Sequence, residues 1–121
     1  MKKHKNLILA GALAALAVPA VALAGYTSLH GVIISGDEAQ GTVVGARNAP
    51  DRMQYISCID GDYAYCIARD AKGTVQSCYT LDDHQRAVIR SVTSNSYIQF
   101  TSGDDGTCEH LFVRNGSQHL E

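Results

Sequence analysis

Apolar positions fall into two regimes along this chain. Leu7 to Val18 is one unbroken run of Leu, Ile, Ala, Val and Gly; everything beyond residue 25 is short and punctuated. Runs rich in Tyr, Ile, Val and Thr recur at 41–47, 54–58, 63–69, 74–80, 96–101 and 108–114, separated by Asn-Ala-Pro-Asp, Asp-Gly-Asp, Asp-Ala-Lys-Gly and Ser-Gly-Asp-Asp-Gly. Such runs bounded by turn residues predict strands. One stretch departs from this pattern. Leu81, Val88 and Val92, with Ala87 or Ile89 beside them, recur at helical spacing, while Arg86 and Arg90 fall on the other side. Thr80 is a candidate cap with Asp83 three positions on, and Asn95 is a plausible stop. The predicted order is β, β-β-β, α, β-β. This is an α+β fold, mainly antiparallel sheet of five to six short strands, with one helix packed on a face.

Register follows from the second hairpin. If Ala71-Lys72-Gly73 is a three-residue loop with Gly73 left-handed, residue 70 faces 74 and Cys66 faces Cys78. If the last strand then returns beside the first strand of the meander, Cys108 reaches Cys58. The expected pairing is therefore 58 with 108 and 66 with 78, one of the three connectivities that four cysteines allow.

The long apolar run changes the compartment. Lys2, Lys3 and Lys5 precede it, Pro19 breaks it, and Ala22-Leu23-Ala24 follows as a small-x-small site. That order is a secretory signal peptide cleaved after Ala24. A membrane anchor would need about 20 apolar residues. No Cys follows the cut, so no lipid anchor is expected, and the Ala-rich run points to a bacterial periplasmic or secreted protein. What remains is a lead-in segment at 25–40, a single domain at 41–117, and a tail expected to fray.

Charge and cysteine count narrow the chemistry. Of the ten Lys and Arg, three belong to the signal; the seven left stand against twelve Asp and Glu, a net of −5. A chain of that sign has no electrostatic footprint for nucleic acid. The four cysteines, Cys58, Cys66, Cys78 and Cys108, have 7, 11 and 29 residues between them, which matches neither the close pairs of a zinc site nor a C-x-x-C redox motif. Even parity in an exported chain reads as two disulfides.

The strings "GTVVGARNAPDRMQYISC", "YCIARDAKGTVQSCYT", "IRSVTSNSYIQFT" and "GTCEHLFVRNGS" resemble an uncharacterised group of small exported bacterial proteins with an A-R-N, Q-Y-I-x-C, C-x-A, S-C, S-Y-I-x-F, G-x-C-x-x-L-x-V pattern. The resemblance implies a shared four-cysteine domain and carries no activity, so it transfers no catalytic residue.

Candidates for chemistry stand on their own residues. His84, Asp82, Asp83 and His110 invite a small hydrolase, yet no G-x-S-x-G elbow and no H-E-x-x-H accompanies them. Asp60-Gly61-Asp62 and Asp104-Asp105-Gly106 could offer oxygens to calcium but lack a twelve-residue loop, and ordinary turn chemistry explains both. No metal or cofactor is expected. Tyr55, Tyr63, Tyr65 and Tyr79 share one face of the meander, opposite Cys66, with Arg47 and Asn48 in a neighbouring turn; Tyr97 lies further along. The first expectation for this row is the core beneath the helix. The other is an exposed platform for a protein or glycan. The function expected is a non-catalytic binding module, monomeric, in the envelope or medium; the alternatives are a periplasmic inhibitor of a hydrolase such as lysozyme and a small secreted hydrolase.

Overall fold

A computed structural model describes residues 26–120; the expected signal segment and its expected cleavage site lie outside the described residues. The described residues form an α+β fold, with seven strands in two antiparallel sheets and two disulfides. One sheet has four strands in the order β1 (Ile33–Ser35), β2 (Glu38–Thr42), β6 (Ser96–Ser102), β7 (Cys108–Asn115). The other is the meander β3 (Tyr55–Asp60), β4 (Ala64–Arg69), β5 (Val75–Thr80). A short helix α1 (Val43–Arg47) follows β2, and the main helix α2 (Asp83–Arg90) joins β5 to β6.

The meander forms as its turns dictate. Gly73 sits at φ +88°, its N–H donating to the Asp70 carbonyl, and the Asp70 side chain accepts from Lys72 and Thr74 N–H. The register places Cys66 opposite both Cys58 and Cys78. Alternation then sends Ile56, Ala64, Cys66, Ala68 and Cys78 inward, where they join Ala39, Ile98 and Phe100 of the four-stranded sheet, with Ala46 of α1 and Ile89 of α2, in one core.

Several expectations need correction. Residues 41–47 are not a strand: β2 ends at Thr42, whose hydroxyl accepts from Gly45 N–H and caps α1. A side chain at Gly45 would collide with the His30 carbonyl oxygen, so glycine lets this helix lie against the lead-in. The lead-in itself supplies β1 and most of β2, a hairpin turned by Gly36 (φ +60°) and Asp37. α2 is capped by Asp82 rather than Thr80, and Leu81 is 67% exposed rather than part of the helix's apolar face. The tail does not fray through residue 120. His119 is fully buried, its Nδ1–H donates to the Ser28 carbonyl, and its ring stacks on Tyr97.

The largest correction concerns the cysteines. The disulfides join Cys58 to Cys66 and Cys78 to Cys108, not 58 to 108 and 66 to 78. β7 belongs to the other sheet and does not return beside β3; the loop before it lies along β5, where Tyr79 N–H donates to the Gly106 carbonyl and Tyr79 bridges Thr107. Cys78 is therefore the cysteine within reach of Cys108. Cys66, flanked on both sides, bonds to the other neighbour.

Candidate functional site

Because the sulfurs point inward, the tyrosines point outward. The outer face of the meander carries three rows of opposed residues: Ile59, Tyr65 and Tyr79; Ser57, Ile67 and Ser77; Tyr55, Arg69 and Val75. Among the described residues no element covers this face, which corrects the expectation that the tyrosines form the core beneath the helix. Tyr63 is 50% exposed, Ile59 48%, Val75 49% and Tyr79 40%. The residues buried behind them are smaller, chiefly alanine and cystine. Leaving the larger apolar side chains in water is unfavourable, and a contiguous apolar patch marks an interaction surface.

The patch is concave. Tyr63, Tyr65, Ile67, Ser77, Tyr79 and Leu81 line an open depression of about 680 Å³, floored at one side by Gly106. Tyr63 packs on Tyr65 with ring centroids 6.1 Å apart and meets Tyr79 edge-on at 6.2 Å, so the rings hold one another in place. Gly106 (φ +86°) lets the 103–107 turn close against the Tyr79 ring.

Carboxylates follow in sequence on three of these lining residues or flank them: Asp62 beside Tyr63, Asp82 and Asp83 after Leu81, Asp104 and Asp105 before Gly106. Among the described residues none of the five pairs with Lys or Arg. The Thr107 side-chain hydroxyl, then its backbone N–H, holds the Asp105 carboxyl below its ordinary range. The three loops that border the depression therefore carry five carboxylates without a cationic partner among the described residues. The outer face of the four-stranded sheet is different in kind. There Tyr97 donates to Gln40, Gln99 donates to Glu38, and the Arg114 guanidinium lies 4.8 Å over the Tyr97 ring. Burial, the largest cause, pushes the Tyr97 hydroxyl above its ordinary range.

The other sequence candidates do not come together. His84 and His110 are exposed, and neither makes a hydrogen bond, ion pair or ring contact among the described residues. The Asp82 carboxylate accepts from Gln85 N–H as a helix cap. Asp60 is taken by Arg86 and Arg90, and Asp105 by its own turn, which leaves both Asp-Gly stretches as turn chemistry. No group of three His, Cys, Asp or Glu among the described residues could hold a metal ion. Among the described residues the one serine hydroxyl bonded to a histidine ring is Ser28 Oγ, 3.0 Å from His30 Nε2, exposed and with no carboxylate on the other ring nitrogen. Arg47 lies away from the depression, at a second cavity with Tyr55.

Ile59, Ile67, Val75 and Leu81 were missed as site residues. Period-two alternation from Tyr65 would have found Ile67, and the cross-strand register would have found Ile59. No protein-family model matches the chain, and neither a curated protein nor a solved structure shows significant similarity to it.

Proposed function

We propose that this protein is an exported, non-catalytic interaction module that docks a protein partner on the outer face of β3, β4 and β5. The observation that carries the reading is the bare face itself: apolar, concave and without a covering element among the described residues, whereas the outer face of the four-stranded sheet mixes hydrogen-bonded Tyr97, Gln40, Gln99 and Glu38 with exposed Ile33 and Phe112 and forms no such depression among the described residues. The side chains lining the depression favour protein over glycan. Their polar groups are a serine and three tyrosine hydroxyls, without the amides and carboxylates that sugar hydroxyls need. The carboxylates at the rim specify the partner's sign, an apolar patch edged by Lys and Arg. A basic hydrolase held by an inhibitor is the specific form this takes. Export is supported by two disulfides and by the signal-like order of residues 1–24. No helix among the described residues is long and apolar enough to cross a membrane.

The test is capture from envelope extract on immobilised protein, beside Tyr63→Ser with Tyr79→Ser and, separately, Asp104→Asn with Asp105→Asn. A basic protein retained by the native chain, lost with the tyrosines and weakened with the aspartates, is expected. Equal retention by all three would overturn the reading.

A further inference from the structure

We infer that a second cavity, beside α1, is a binding site for a small carboxylate with an apolar body. It encloses about 410 Å³, within the size range of small-molecule sites. Val43, Ala46 and Ile56 give it an apolar lining, Tyr55 borders it, and Arg47 and Arg52 are its two cations. This cavity shares none of its lining with the aromatic depression, and Tyr55 is the one residue it has in common with the outer face of the meander.

The cations decide the ligand. Among the described residues neither guanidinium meets a carboxylate, a hydrogen-bond acceptor or a ring. Of the other arginines, Arg86 and Arg90 hold Asp60 and Arg114 lies over Tyr97 and donates to His119, while Arg69, whose Nε is buried without a partner among the described residues, lines no part of this cavity. The nearest carboxylate in sequence, Asp51, is engaged otherwise. It accepts from Met53 N–H, Gln54 N–H and the Gln54 side-chain amide, and those bonds, the Gln54 amide foremost, hold it below its ordinary range. The same bonds fix the turn in which Arg52 adopts φ +56°, a left-handed conformation unusual for a side chain of its size. Gln54 has only one side-chain N–H left for the cavity, because its carbonyl oxygen accepts from Val32 N–H while its other amide N–H serves Asp51.

The polar groups left are thus two planar forks of N–H donors, one Gln54 amide N–H and one tyrosine hydroxyl, over an aliphatic floor. Guanidinium forks match a carboxylate bidentately. The floor asks for hydrocarbon attached to it. A fatty acid and the C-terminal residue of a peptide both present that chemistry.

The probes are sodium octanoate and N-acetylphenylalanine, with N-acetylphenylalaninamide as the uncharged control, titrated into isotopically labelled protein and followed by amide NMR shifts. Saturable shifts confined to residues 43–47 and 52–56 are expected with at least one carboxylate and not with the amide. Response to octanoate alone assigns a fatty acid; response to N-acetylphenylalanine alone assigns a peptide terminus. Arg47→Gln and Arg52→Gln should each weaken binding about tenfold or more, with the rest of the spectrum unchanged. No saturable shift with either carboxylate, an equal response to the amide, or undiminished binding in both variants would overturn the inference.

Discussion

Asp60 joins the meander to the helix. Its carboxylate accepts from Arg90 at 2.7 Å and Arg86 at 2.9 Å, and these bonds, Arg90's first, hold it below its ordinary range. A carboxyl whose value falls on folding stabilises the native state above its unfolded value, about 3.9, and that contribution is lost as pH drops through the lower folded value. Asp51 and Asp105 carry the same sign. Urea midpoints should therefore fall on acidification below about pH 4, and the fall should be shallower in Asp60→Asn; an unchanged slope would mean that the pairing contributes nothing. Burial sets a second contrast between residues. Phe100 is fully buried and Tyr63 half exposed. Phe100→Ala should cost about 3 to 5 kcal/mol, and Tyr63→Ser about 0.5 or less. A large loss at Tyr63, read from the same urea titrations, would mean the tyrosine face is core after all.

Local chemistry was legible at the level of elements, and long-range chemistry was not. β3, β4 and β5 lie within two residues of their predicted bounds, because tyrosine-rich runs and the Asp70–Gly73 turn fix a hairpin without outside help. α1 was hidden because Val43 and Val44 read as strand formers, whereas the Thr42 cap and the burial of Ala46 prevail. The Gly36-Asp37 hairpin signal was present and overlooked. Which strand neighbours β7 depends on a contact between distant segments, and no periodicity in the sequence encodes it. The disulfides were mispaired for that reason. Cys78–Cys108 closes a separation of 30 residues and Cys58–Cys66 one of 8. Chain entropy then gives the longer bridge about 3.6 kcal/mol and the shorter about 2.5. Cys78→Ala with Cys108→Ala should lower the urea midpoint more than Cys58→Ala with Cys66→Ala; the reverse order would mean native-state strain or residual structure outweighs loop length.

Across the whole molecule, two sheets share one core and present unlike outer faces. One is held by hydrogen bonds around Tyr97, Gln40, Gln99 and Glu38, with Ile33 and Phe112 exposed beside them. The other is the tyrosine depression, bordered by acidic loops. The tyrosines were legible as a shared face; that the face is uncovered was not, since hydrophobicity alone would bury Ile67 ahead of Ala64 and Ala68, and it is the inward sulfurs and the second sheet that reverse the order. The most direct measurement is site-specific photocrosslinking in the producing cell, with benzoylphenylalanine at Ser77, central on the tyrosine face, or at His110, on the outer face of the other sheet. One discrete adduct with a basic protein is expected from Ser77 and none from His110. No adduct from Ser77, or the same adduct from both positions, would contradict docking through the tyrosine face.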